Sequence, residues 1–116
     1  MLLVGGLNRI RDLISSDIDY GQLGTGTTIA TENDTALQTE VASTKLAVTK
    51  STASKQINFT YTLVSTGGAT NTYTEFELRK DATPVHFDRI LFTGVLFTTN
   101  GTEDLSIIKR YFIKRG

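Results

Sequence analysis

The chain opens on a helical spacing of apolar residues and closes on a strand spacing. Leu3, Leu7, Ile10 and Ile14 recur at intervals of four, three and four, which places them on one face of a helix. Asn8, Arg9, Arg11 and Asp12 take the other faces. Ser15, Ser16 and Asp17 end the pattern, because short polar side chains compete for nearby backbone groups. Such a helix is expected to lie on the domain's own sheet, with docking on a neighbouring subunit as the sharper alternative. Residues 18–23 fit a short strand, and Gly24-Thr25-Gly26-Thr27-Thr28 fits a tight, exposed turn. A second short helix is expected over residues 34–42. There Thr35 and Gln38 have capping-box spacing, and Leu37 and Val41 stand one turn apart.

From residue 43 the period becomes two. Leu46 and Val48 alternate with Lys45, Ala47 and Thr49, and a polar turn is expected at residues 51–54. Ile57, Phe59, Tyr61 and Leu63 then alternate with Asn58, Thr60 and Thr62, the clearest strand of the chain. After a turn at 65–71, the strand at 72–79 puts Tyr73 on one parity and Phe76 and Leu78 on the other. That switch predicts a β-bulge or a change of packing partner near Thr74 and Glu75. Beyond a turn at 80–84, residues 85–93 put Phe87 and Leu91 on one face and His86, Ile90 and Phe92 on the other. Gly94 precedes Val95-Leu96-Phe97, and Asn100-Gly101 marks a reversing turn. In the last strand, 105 to about 114, Leu105, Ile107, Tyr111 and Ile113 share one face, while Ile108 and Phe112 share the other with Arg110.

The last two long strands are apolar on both faces, unlike a single sheet wetted on one side. Several short strands between polar turns predict an all-β, antiparallel β-sandwich or jelly-roll-like domain with two short N-terminal helices. About seven short strands cannot cover every apolar face, so Ile90, Phe92, Ile108 and Phe112 are expected at a subunit interface.

The bulk properties narrow the function. A length of 116 residues bounds the chain to one domain, 1–116. Twelve basic residues balance twelve acidic ones, so no overall charge draws the molecule to nucleic acid or an anionic membrane. A net charge of zero also removes the repulsion that keeps monomers apart. Cysteine is absent, which excludes disulfides, thiolate nucleophiles and cysteine zinc sites. No signal peptide or membrane-spanning run is expected, since Gly5 and Gly6 interrupt the short apolar opening. The sequons at Asn33, Asn58 and Asn100 are therefore read as unused.

Candidate chemistry is sparse. Gly24-Thr25-Gly26 lacks the third glycine of a dinucleotide fingerprint and the Gly-Lys-Ser/Thr end of a P-loop. His86 is the single histidine, without a nucleophile or second ligand beside it in sequence, and is read as structural. Glu75 and Glu77 face one side of a strand; they read as a solvated rim or as partners of Arg79 or Lys80, rather than as half a carboxylate pair or a calcium contact. Lys109, Arg110, Lys114 and Arg115 crowd the C-terminus and read as a charged edge strand that resists unwanted pairing. No catalytic residue, metal or cofactor is expected.

The order of segments carries a resemblance. Gly6-Leu7-Asn8-Arg9-Ile10-Arg11-Asp12-Leu13-Ile14 is followed by Leu23-Gly24-Thr25-Gly26-Thr27-Thr28, then by Asp34-Thr35-Ala36-Leu37-Gln38-Thr39-Glu40-Val41 and a β-rich remainder. This resembles a group of small structural proteins of tailed phages, labelled tail-fibre or tail-associated. Thr74-Glu75-Phe76-Glu77-Leu78 resembles their later strand, with Glu77 where glycine is usual. The resemblance implies a virion structural protein, made in the host cytoplasm. Its partners would be copies of itself, other virion proteins and a host receptor. The alternatives are a capsid decoration or turret protein and a receptor- or carbohydrate-binding module, for which exposed aromatics such as Tyr73 would matter.

Overall fold

The computed structural model describes residues 1, 3–64, 70–81, 85–98 and 104–114. The expected turns at 65–71, 80–84 and 98–101 fall wholly or partly outside these residues, as do Arg115 and the sequon at Asn100. One α-helix, α1 (Val4–Asp17), precedes seven strands: β1 (Tyr20–Gly24), β2 (Leu46–Ala47), β3 (Thr49–Ala53), β4 (Gln56–Val64), β5 (Thr70–Lys80), β6 (Val85–Thr98) and β7 (Asp104–Phe112). Every pairing is antiparallel. The strands form a four-stranded sheet in the order β2-β1-β5-β6 and a three-stranded sheet in the order β3-β4-β7.

The two sheets share one core. The alternation on β4 drives Ile57, Phe59, Tyr61 and Leu63 inward, where they meet Ile18, Leu23, Tyr73, Phe76 and Leu78. The rings of Tyr61 and Phe76 meet edge to face across the layers at 5.1 Å, a geometry favoured by the ring quadrupoles. Full burial of each large apolar side chain contributes roughly 1.5–3 kcal/mol. The Tyr61 hydroxyl donates to the Thr44 carbonyl at 2.6 Å, so its polar end is satisfied inside.

The α1 helix is strapped to the β3–β4 hairpin of its own chain. Arg11 donates to the Ala53 carbonyl at 2.7 Å, Lys50 donates to the Ser15 carbonyl, and the Asn8 side chain accepts from the Lys55 amide at 2.9 Å. Leu7 is buried and Ile14 packs on the core, but Leu3, Ile10 and Leu13 face solvent.

Four sequence expectations change. Residues 34–41 hold no α-helix; the helical element there is a single 3-10 turn at Ala42–Thr44. The amides of Gln38, Thr39 and Val41 bond to Glu75 and Leu23, so they are not available for a local ladder. The polar turn expected at 51–54 is mostly strand β3. Both its faces are exposed, so no apolar alternation marks it, and the true turn is Ser54 and Lys55, with Lys55 at φ 59°. The β6 strand runs through Gly94 instead of stopping there.

His86 also changes face. Leu78 pairs with Asp88 but Arg79 pairs with His86, so Phe87 is an extra residue in β6. That bulge turns His86 away from Ile90 and Phe92 and sets it beside Arg89 on the outer face. A second register shift falls between Tyr73 and Glu75, the point where the parity of β5 switches. Across it Tyr73 and Phe76 both reach the core.

Candidate functional site

The β5 strand lies between β1 and β6. Its alternation sends Phe76 and Leu78 into the core, and Glu75, Glu77 and Arg79 to the opposite face. That face is not solvent. Residues 25–41 fold back over it, and both glutamates are 0% exposed. They are therefore neither a solvated rim nor partners of Lys80, which pairs with Asp17 at 3.1 Å.

Glu75 is the anchor of the covering segment. Its Oε1 accepts from Arg89 Nε and from the Gln38 amide, both at 2.8 Å. Its Oε2 accepts from the amides of Gly26 at 2.6 Å and Thr39 at 2.9 Å. Burial alone would push its pKa up, but the bonds from Arg89, Thr39, Gln38 and Gly26 outweigh burial and hold it below the ordinary carboxylate value. A Cβ on Gly26 would stand 2.4 Å from Glu75 Oε2, so glycine is required for this approach. The glycine-rich loop thus lends one amide, that of Gly26, to a carboxylate of the same protein.

Arg89 completes the lock. Besides Glu75, its guanidinium donates to Asp34 Oδ2 at 2.9 Å and to the Thr28 carbonyl at 2.7 Å. Asp34 also accepts from the amide and hydroxyl of Thr31. The Thr31 backbone bond is the main cause that lowers its pKa, with Arg89 adding to it.

Glu77 is less well served. Its Oε2 lies 2.7 Å from His86 Nδ1, while Oε1 is 3.7 Å from Arg79 Nη1. Among the described residues, Glu77 Oε1 and Arg79 Nε are buried without a hydrogen-bond partner. Burial pushes the Glu77 pKa up, more than His86 and Arg79 pull it down. Arg79 also donates to Gln22 at 2.9 Å. Glu77 and His86 border a cleft of about 220 Å³ that Thr31, Asp34 and Phe87 help to line. A carboxylate on one imidazole nitrogen fixes ring orientation and can support proton transfer. Among the described residues, His86 is hydrogen-bonded to Glu77 and to no hydroxyl.

The four residues expected at an interface fall into two places. Ile108 is 57% exposed and Phe112 60% exposed, both on the outer face of β7. Ile90 and Phe92 are partly buried and pack against the core. Lys109 turns inward, 3.4 Å from Asp88, whereas Arg110 and Lys114 are exposed. Among the described residues, no group of three or more acidic or histidine side chains is placed to hold a metal ion. Tyr73 is buried.

Sequence reasoning missed Gln22, Asp34 and Arg89 as parts of one network. Its available signal was the mixed ladder Glu75, Glu77 and Arg79 opposite Phe76 and Leu78, which suits a strand covered on both sides. Comparison with family models, with curated proteins and with solved structures gave no match.

Proposed function

We propose that the chain is a virion structural protein of a tailed virus that acts through subunit contacts at the tail, as part of a tail fibre, baseplate or adaptor. Its two sheets are read as the jelly-roll-like β-sandwich of such a building block. The observation that carries this reading is where the two kinds of side chain lie. Buried charges hold the fold together, while Leu3, Leu13, Ile108 and Phe112 stand in solvent, as surfaces awaiting partners do. Further support comes from the segments that resemble the tailed-phage proteins. Residues 24–28, 34–41 and 74–78 meet around Glu75, which suits a scaffold role for those segments. The reading assigns the chain no catalytic step and no cofactor. Sedimentation with mass measurement tests it: an assembly of several copies, such as a hexamer, is expected. A particle that stays monomeric at high concentration overturns the reading in favour of a receptor- or carbohydrate-binding module.

A further inference from the structure

β7 is an outer strand of its sheet, and its backbone shows which groups are left over. The Ile113 amide donates to the Lys55 carbonyl at 2.7 Å, on the β4 side. In an antiparallel strand the N–H and C=O of one residue point the same way, and the direction alternates along the chain. Odd-numbered residues of β7 therefore face β4, and Ser106, Ile108, Arg110 and Phe112 turn their N–H and C=O groups outward. Among the described residues, no strand pairs with that edge.

The other long edge is built differently. The register of β6 on β5 is broken twice, whereas that of β7 on β4 runs unbroken from Asp104 to Phe112. Bulges blunt an edge; a regular one is a template for pairing. An inward lysine can also guard an edge, but Lys109 is engaged by Asp88 within the chain.

We propose that a second copy of this chain completes the edge, β7 against β7 and antiparallel about a two-fold axis. This rests on the reading of the protein as one that works through subunit contacts. Charge complementarity selects the occupant and the register. With the axis at Ile107, Asp104 faces Arg110 of the second copy, and Arg110 faces its Asp104. Ser106 then faces Ile108. Each of these is an even-numbered residue, so each pair can exchange both backbone hydrogen bonds, and opposite charges directly across a ladder are stabilising. The product is one continuous sheet of six strands, three from each copy.

The test is sedimentation equilibrium of the full chain, Arg110→Asp, the reversal Asp104→Arg with Arg110→Asp, and Ser106→Pro. Circular dichroism serves as the folding check. Arg110→Asp sets like charges opposite one another at two places and should weaken self-association about tenfold or more. The double reversal should restore it. Ser106→Pro removes an outward N–H that β4 does not use, and proline is tolerated at such positions, so it should weaken association while leaving the strand content unchanged. A double reversal as weak as the single one overturns the pairing. If the parent self-associates and neither Arg110→Asp nor Ser106→Pro alters it, the edge is not the interface, though subunit contacts still stand. A parent that is monomeric at every concentration removes the reading beneath the proposal as well.

Discussion

The outer faces of the two sheets invert the usual relation between residue type and burial. On the four-stranded sheet the outward positions of β5 are Glu75, Glu77 and Arg79, and they are buried. On the three-stranded sheet the outward positions of β7 include Ile108 and Phe112, and they are exposed. Alternation is the same in both strands. What differs is the cover: residues 25–41 close over the first face, held by hydrogen bonds to Glu75 and Arg89, whereas Ile108 and Phe112 on the second stay in solvent. Alternation decides which side of a sheet a residue takes; whether that side is wet depends on chain far away in sequence.

The largest effect is expected where the cover is pinned. Glu75→Ala strands the buried guanidinium of Arg89 and the amides of Gly26, Gln38 and Thr39. Breaking a buried charge pair from one side costs about 3–5 kcal/mol, and chemical denaturation of the variant should show a loss of that size. A loss near that of an ordinary surface substitution would mean that the covering segment is held by something else.

Next is the shared core against the open face. Phe59→Ala should cost about 3–5 kcal/mol, because Phe59 is buried with its ring edge-on to Tyr111 at 5.7 Å. Thr60→Ala, one residue on and facing outward, should stay within about 0.5 kcal/mol. Comparable losses in the two unfolding curves would show that the three-stranded sheet is covered on both sides, which would erase the contrast.

These particular residues also show how much was legible. The β4 pattern announced Ile57, Phe59, Tyr61 and Leu63 as core, since a buried face leaves a period-two trace in a single strand. The parity switch in β5 likewise announced the irregularity at Thr74. Nothing comparable marks Phe87, whose bulge depends on where β6 meets β5, and this one residue carried His86 to the other face. The β3 strand was silent because an edge with two wet faces has no apolar partner to record. Residues 34–41 did carry a local helix signal, with capping-box spacing. That signal was outweighed by the hydrogen bonds that the Gln38 and Thr39 amides make to one carboxylate on a strand more than thirty residues away. The candidate network was hidden for the same reason: its members come from β1, the covering segment, β5 and β6.

A smaller effect separates the two glutamates by pH. Glu75 has a depressed pKa in the folded state. Its stabilising contribution is complete above the pKa of the unfolded chain and disappears as pH falls through the lower, folded value. Glu77 has a raised pKa, so folding favours its protonated form, and stability falls as pH rises from the unfolded value through the folded one. Thermal midpoints followed from neutral into acid should therefore show Glu75→Gln destabilised at neutral pH, converging on the parent only in strong acid. Glu77→Gln should be neutral or stabilised at neutral pH, because it removes a buried charge that keeps one oxygen unpaired. Parallel profiles for the two variants would break the distinction drawn between them.

The smallest effect on folding is expected at the residue most visible from outside. Phe112 closes β7 opposite Gln56 and is 60% exposed, so little apolar contact is lost when it changes. Phe112→Asp should leave the unfolding midpoint within the range of surface substitutions, about 0.5 kcal/mol, with an unaltered circular dichroism spectrum. Placed at a contact between copies, however, the same carboxylate meets a desolvated apolar surface, and assembly should be lost. Folding and association therefore respond oppositely at Phe112 and Glu75: one variant keeps its fold and loses its partners, while the other loses stability in the subunit itself. Sedimentation of Phe112→Asp beside the parent decides it. An unchanged assembly state takes Phe112 out of the interface, and an unfolded variant would mean that the outer face of β7 belongs to the domain's own core.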